Sequence, residues 1–424
     1  MARTLTPQDC HILMNALVKQ ATGQSASAVV DTSSFVSAGE KLLATGVENT
    51  LNALSIVLGR TFMAVRPYKA KLAIISAMNT GEYTSRLRKI SFYSRDAQSA
   101  GDWNTQLNGA NLRMGRDNSG NNVDGGADSA TENMWLQNQP VPLEMNFAGQ
   151  SVWQDSTTVY KYQLKTAFSS ESEFAQFVSG ILTERGNDIE SQKEAFNRMT
   201  LLNYIAGVVD LDASEPKGRV INLTKAYNDF YNTKYTSAQL RSEYLRSFLE
   251  FMVSTIKQTS DYMTHRSDKY HWSPAKTIGQ TSYTLLRHTP KNKQKLVMYS
   301  PLFNKAEAMV MPEIFNPQYL SIDNYEGVDF WQSFAGNDTD ASINVTPAIP
   351  NGNEQTVGNN VSLDYVVGMI FDTDAIMTDY QLEDAESTPL EARKRYYNIW
   401  WSFSKNSIND FTENSVVFIM KDEA

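Results

Sequence analysis

Apolar and polar positions alternate most regularly in the last quarter of the chain. Tyr397, Ile399, Trp401 and Phe403 fall on one face of an extended segment, and Tyr396, Asn398, Trp400 and Ser402 fall on the other. With Tyr365 through Ile370-Phe371-Asp372 and with Val416-Val417-Phe418-Ile419-Met420, they make three aromatic-rich runs that predict strands. Tyr397, Ile399, Trp401 and Phe403 are the expected core of these strands, and the residue types on both faces predict that both are substantially covered.

A period near 3.6 residues replaces the alternation elsewhere. Val47, Leu51, Leu54 and Leu58 share a face and predict a helix over Gly46–Leu58, within an Ala/Ser/Thr/Gly-rich start that is too thin for a core of its own. Ser170 and Glu173 have capping-box spacing, and Phe174, Phe177, Val178, Ile181 and Leu182 form one stripe behind them. Carried to about Ala206, this helix is a rod of roughly 55 Å, longer than a compact small domain needs. A second helix is expected to start at Thr236, with Gln239 in the capping position and Leu240, Tyr244, Leu245, Phe248, Met252 and Ile256 on its apolar side. Ile90–Ser94 and Val159–Leu164 alternate as strands do and flank Asn108–Gly126, a stretch dense in Gly, Asn and Asp, so this region predicts a long hairpin with an elaborate tip. Short strands and prolines alternate from Lys295 to Phe334, and Gly336–Asn360 reads as a polar loop.

Charge is distributed in blocks. Arg60, Arg66, Lys69, Lys71, Arg86, Arg88, Lys89 and Arg95 are opposed by Glu82 alone. Asp96, Asp102, Asp117, Asp124, Asp128, Glu132, Glu144 and Asp155 follow, against Arg113 and Arg116. Adjacent blocks of opposite sign suggest contact between them or between copies; since a hairpin cannot fold its own base onto its own far end, Arg86, Arg88, Lys89 and Arg95 are expected to meet the acidic block Asp96–Asp155 of an adjacent copy, Asp117, Asp124 and Asp128 among its contacts. The plainer alternative is that both blocks are solvated surface.

Composition narrows the function more than it specifies it. The 424 residues are 41% hydrophobic, 20% charged and 11% aromatic, enough for two or three globular domains. A net charge of −9 argues against a dedicated nucleic-acid binder, whose affinity would rest on a basic face. Cys10, the single cysteine, has no intrachain partner; Met1–Lys19 lacks the layout of a signal peptide, which leaves a cytoplasmic chain at synthesis as the expectation. No apolar run approaches the roughly 20 residues that span a bilayer, so no membrane partner is expected and the Asn222, Asn337 and Asn344 glycosylation triplets are chance matches.

Catalytic constellations fail at the level of residue types: there is no nucleophile elbow, phosphate loop, dinucleotide fingerprint or zinc-protease motif. His265, His271 and His288 match no zinc spacing, and Asp117–Asp128 misses the calcium loop because Asn122 stands at position six and no glutamate closes it. Asp372 and Asp374 read as turn residues after a strand, Cys10 as incidental, and Trp400-Trp401 as core or interface rather than a sugar platform. The expectation is therefore no enzyme, no metal and no cofactor.

Two stretches carry a likeness. Lys165-Thr166-Ala167-Phe168 leads through Glu173-Phe174-Ala175-Gln176-Phe177-Val178-Ser179-Gly180-Ile181 into the long helix, and Ala392-Arg393-Lys394-Arg395-Tyr396-Tyr397-Asn398-Ile399-Trp400-Trp401 runs on to Asn414-Ser415-Val416-Val417-Phe418. In these and in the order of its parts the chain resembles the major capsid proteins of tailed bacteriophages, the Hong Kong 97-type fold, nearest to those of phages of Gram-positive hosts. The resemblance implies an α+β fold with an N-terminal arm over 1–78, an extended β-hairpin loop over 79–165 and a peripheral domain with a spine helix over 166–235. An axial domain over 236–360 and a return to the peripheral domain over 361–424 complete it. It implies a structural subunit whose main partner is itself, as hexamers and pentamers of an icosahedral head enclosing double-stranded DNA. Portal, scaffolding or decoration proteins are the further partners, DNA is touched weakly and without specificity, and the protein resides in the virion after assembly in the host cytoplasm. No motif matches the crosslinking lysine and asparagine of the founding member. A host-encoded nanocompartment shell of the same fold is the closer alternative. A carbohydrate-active enzyme, suggested by 20 Tyr, 19 Phe and 7 Trp, is the more distant one.

Overall fold

A computed structural model describes residues 7–22, 32–44, 72, 75–77, 86–94, 140–148, 151–168, 171–274, 276–278, 281–302, 304, 324–351 and 354–422. The chain forms two compact units: Met1–Leu87 with Phe147–Trp272 and Arg287–Ala424, and Arg88–Asn146 with Ser273–Leu286. The helix expected over Gly46–Leu58 lies outside the described residues.

The larger unit is organised by one helix, Glu171–Ser214, whose 44 residues span about 66 Å. No single stripe runs its length. Near its start Phe174 and Ile189 are buried while Asn187 and Asp188 are exposed, as on a helix that covers one surface. From Leu201 to Leu211 burial is almost continuous, through Leu202, Tyr204, Ile205, Ala206 and Val208, because this stretch is apolar except at Asn203 and Asp210 and lies inside a core. That burial carries the helix past Ala206 to Ser214.

A buried arginine closes its end. The Arg219 guanidinium donates through Nη2 to the carbonyls of Leu211, at 2.7 Å, and Glu215, at 2.9 Å, satisfying acceptors that a helix terminus leaves open. Asp212 Oδ1 accepts from the Lys217 amide at 2.9 Å, the Arg219 amide at 3.2 Å and Arg219 Nε at 3.3 Å. Gly218, at φ 76°, makes the reversal between them. Burial lowers the Arg219 pKa, and the Asp212 carboxylate opposes that shift.

Around the buried half of the helix lies a five-stranded sheet in the order Val220–Asn222, Ser415–Ile419, Val366–Asp372, Gln294–Tyr299, Asn324–Val328. The three central strands are buried at every residue, which explains why they read as unbroken apolar runs. Val366–Asp372 is antiparallel to both neighbours, and Gly368 permits the close approach: a Cβ there would stand 2.5 Å from the Val297 carbonyl oxygen. Leu245–Met263 covers the same core with Phe248, Leu249, Met252 and Ile256. The capping box at Thr236 and Gln239 is present, but it opens only Ser237–Leu240, and turns separate it from the longer helix. The interruption accompanies a stack of Tyr244 on Tyr235 at 4.0 Å.

Gly336–Asn360 is not the loop its composition predicts. It forms a 3-10 turn, Asp338–Ala341, and the short strands Ile343–Val345, Ala348–Asn351 and Glu354–Val357. Its polar side chains are used against the long helix: Asn203 accepts from the Ala348 amide at 2.8 Å, and Asp210 accepts from the Asn359 amide at 3.0 Å and its side-chain amide at 2.9 Å.

A four-stranded sheet, in the order Ser76–Ala77, Ile376–Ser387, Tyr396–Asn409, Ser151–Tyr160, belongs to the same unit. Ile376–Ser387 pairs with residues 399–409 of Tyr396–Asn409 although its acidic sequence gave no strand signal. Tyr397, Ile399, Trp401 and Phe403 are buried with Phe174 and Ile189, and Trp153 stacks on Phe403 at 4.7 Å. The helices Pro7–Thr22 and Thr32–Ala44 join this core through Met14, Leu17, Val18, Phe35 and Leu42. Phe35 meets Phe174 edge-on at 5.5 Å. The expectation that both faces are covered is corrected here. Opposite the core, Tyr396, Asn398 and Ser402 are half-buried and Trp400 is 38% exposed, so the outer face has no layer of its own among the described residues. Lys161–Ala167 is helical, not a continuation of the strand before it.

Candidate assembly surfaces

Arg86–Phe92 pairs with Pro142–Ala148, the greater part of both strands lying in the smaller unit, where Lys276–Ile278 also pairs with Thr281–Tyr283. The first hairpin alternates: Ser91 and Tyr93 point inward, while Arg88, Ile90 and Phe92 point outward. The Tyr93 hydroxyl donates to the Pro274 carbonyl at 3.2 Å, and burial raises its pKa. The outward row is unusual, since Ile90 is 51% and Phe92 57% exposed beside an ion pair, Arg88 to Glu144, at 2.8 Å. An exposed pair of this kind contributes about 0–1 kcal/mol, so it orients the face more than it stabilises the fold.

That pair revises one step of the sequence argument. Arg88 finds a member of the acidic block within its own chain because Glu144 lies on the returning strand beside the hairpin base, not at the far end. Lys89 is half-buried on the same strand. The Arg86 side chain and residues Arg95, Asp117, Asp124 and Asp128 lie outside the described residues. Ile90 and Phe92 were missed as surface residues, although they are in phase with Arg88 along the strand.

The outer face of the four-stranded sheet is the second open surface. Thr158 Oγ1 donates to Asn398 Oδ1 at 2.8 Å and Gln154 Nε2 to Ser402 Oγ at 3.1 Å across adjacent strands, with exposed Val152, Tyr160 and Trp400 beside them.

Reactive groups are used structurally. Asp372 accepts from Thr289 Oγ1 at 2.7 Å and from the Asp374 amide at 2.9 Å, which holds the turn after its strand. The buried His271 ring meets the Lys269 carbonyl at 2.9 Å. Cys10 lies in the helix Pro7–Thr22. Among the described residues no group of three or more His, Cys, Asp and Glu is placed to hold a metal ion, and no helix is long and apolar enough to cross a membrane.

A mixed α+β chain with a long helix, a hairpin bearing exposed apolar residues and an uncovered sheet face has the surfaces of a subunit built to pack. The model of the Phi29-like phage major capsid protein family matches residues 120–419, most of the chain, and the protein belongs to that family. It is a structural capsid protein of a bacteriophage and hence a component of the virion. No curated protein sequence matches it. Among solved structures it is similar to the capsid of Staphylococcus phage Andhra, at 9% identity over 83% of this chain and 84% of that one, with a TM-score of 0.47. The capsid of cyanophage P-SCSP1u is 11% identical over 84% of this chain and 90% of its own, with a TM-score of 0.41. The mature capsid of bacteriophage PhiM1 is 8% identical over 84% and 89%, with a TM-score of 0.40.

Proposed function

We propose that the protein assembles as hexamers and pentamers into an icosahedral head of the Hong Kong 97 type around double-stranded DNA. Residues 1–78 act as the arm, 79–165 as the extended loop, 166–235 with 361–424 as the peripheral domain and 236–360 as the axial domain. Portal, scaffolding or decoration proteins complete the head in the host cytoplasm. One observation carries this reading. The hairpin of Arg86–Phe92 with Pro142–Ala148 is two strands wide, which is marginal by itself, and it turns Ile90 and Phe92 toward solvent. Laid on a neighbouring copy it buries both, with Arg86, Arg88, Lys89 and Arg95 facing Asp117, Asp124 and Asp128 of that copy.

Sedimentation and electron microscopy of the protein, expressed alone and with its phage partners, are expected to show capsomers or closed particles. A stable monomer under every condition sinks the reading. Reversing Arg86 and Arg88 to Glu is expected to abolish particles at ordinary salt without changing the melting of the subunit. Adding Glu144→Arg rebuilds the local pair and is expected to leave that defect in place. Normal particles from the reversal, or rescue by the third substitution, overturn the inter-copy role.

A further inference from the structure

Several cations on this protein's surface are matched by a carboxylate of the same chain. Arg88 pairs with Glu144 at 2.8 Å, Lys217 with Asp268 at 3.0 Å, Arg246 with Glu250 at 3.5 Å and Lys293 with Asp374 at 3.5 Å. The turn that leads into Tyr396–Asn409 is different. Arg393, Lys394 and Arg395 are consecutive and exposed, and Lys161 joins them from the end of Ser151–Tyr160, its amide donating to the Arg395 carbonyl at 3.0 Å. None of these four makes an ion pair with a described residue, in a chain whose net charge is −9. The Glu391 carboxylate accepts from the Lys394 amide, so one negative charge is held beside the four positive ones.

The turn is also firmly built. Arg395 sits at φ 56°, a conformation glycine adopts without strain, yet the position carries a guanidinium. Its amide donates to the Glu391 carbonyl at 2.8 Å, the Glu391 amide to the Tyr396 carbonyl at 3.0 Å, and Arg395 Nη1 to the Tyr162 hydroxyl at 3.1 Å. Tyr162 is 63% exposed, and exposed Tyr160 packs edge-on against Tyr396 at 6.1 Å. Four cations without an ion pair to a described residue and two phenol hydroxyls are thus held together on a turn.

We propose that this turn binds the phosphate backbone of double-stranded nucleic acid without regard to sequence. Guanidinium forks and hydroxyls match phosphate oxygens, and adjacent phosphates reward a cluster of cations by releasing counterions. Another copy of the chain is the weaker candidate, because several carboxylates of its described surface, among them Asp229, Glu250, Asp261 and Asp374, are already paired with its own cations. The remaining polyanion in the sequence, the acidic stretch from Asp96 to Glu132, is the rival that the experiment must separate. The inference takes from the shell reading only the source of the duplex.

The test is a salt titration of the full-length protein, both as dispersed subunits and as any particles formed, with a short random-sequence DNA duplex as the probe. R393Q/K394Q is expected to weaken binding at least fivefold at low salt. At about 0.9 per lost phosphate contact, it is expected to lower the slope of log K against log salt by about 2, and K161Q by about 1. Lys225→Gln with Arg246→Gln removes the same charge elsewhere and is expected to leave the slope nearly unchanged. Unchanged melting certifies the fold of each variant. Equal slopes for R393Q/K394Q and the unmodified protein overturn the proposal. So does lost assembly with unaltered duplex binding, which assigns the turn to the acidic stretch of another copy. Because dispersed subunits are titrated too, a failure to form particles sinks the shell reading and leaves this measurement standing.

Discussion

The two large sheets of the main unit answer the same problem differently. The central strands of the five-stranded sheet are buried at every residue, wrapped by the long helix, by Leu245–Met263 and by the short strands of 343–357. The four-stranded sheet buries Tyr397, Ile399, Trp401 and Phe403 and leaves the alternate row in contact with solvent. A sheet closed on both faces contributes stability alone, whereas a sheet closed on one face also holds a surface ready for something else. Adjacent tryptophans mark the boundary between the two uses, Trp401 buried and Trp400 partly open.

Those tryptophans give the sharpest way to break the comparison. Trp401→Ala is expected to destabilise the dispersed subunit by about 3–5 kcal/mol in denaturant unfolding, through lost burial and the cavity left behind. Trp400→Ala is expected to change it by about 1 kcal/mol or less. Similar losses from both substitutions mean that the outer face is covered after all.

The two ends of the long helix give a smaller contrast with opposite signs. Replacing glycine by alanine inside a helix ordinarily gains about 1 kcal/mol, and a Cβ at Gly180 meets nothing within 4 Å, so G180A is expected to stabilise by about 0.5–1 kcal/mol. A Cβ at Gly207 stands 2.5 Å from the Phe411 ring, which is stacked on Tyr204 at 4.8 Å. The ring has little room to move, and G207A is expected to cost about 1–3 kcal/mol. Thermal melting of the pair reads the sign directly.

The smallest effect is electrostatic. A hydrogen bond from Lys217 at 3.0 Å holds the Asp268 carboxyl below the usual carboxylate range. Its folded pKa is depressed, so its contribution is complete above the unfolded value near about 3.9 and fades as pH falls through the folded one. Both side chains are substantially exposed, which keeps the effect small and salt-sensitive. The difference in melting temperature between the unmodified protein and D268N is expected to close between about pH 5 and 2; a gap that widens on acidification refutes the assignment.

How far the sequence was legible depended on whether a residue's role is local. Alternation in Tyr396–Phe403 announced a strand, and the Thr236–Gln239 spacing announced a cap, because both are settled by near neighbours. Alternation could not say that only one face is covered, since that depends on which other segments arrive. The strand Ile376–Ser387 was hidden because its carboxylates look like loop chemistry until it is paired along Tyr396–Asn409. Gly336–Asn360 was misread for a related reason. Its Asn359 and the amide of Ala348 are satisfied by Asp210 and Asn203, some 150 positions earlier in the chain, and no local pattern records that. The reach of the long helix beyond Ala206 was likewise invisible, because it is set by burial among distant segments and by Arg219 closing the terminus from outside. Of the assembly surfaces, the charges were legible and the exposed Ile90 and Phe92 were not, since exposure is a property of what is missing opposite them.

The arginine at the end of that helix has a mechanical consequence. Leu201–Leu211 is buried almost throughout and then pinned by Arg219 and Asp212, whereas Phe174 and Ile189, nearer the start, are buried on a stretch that exposes Asn187 and Asp188. A stiff rod gripped at one end is a lever: a small rotation at the grip sweeps the far end, with Phe174 and the sheet it touches, through a displacement that grows with the roughly 66 Å of its length.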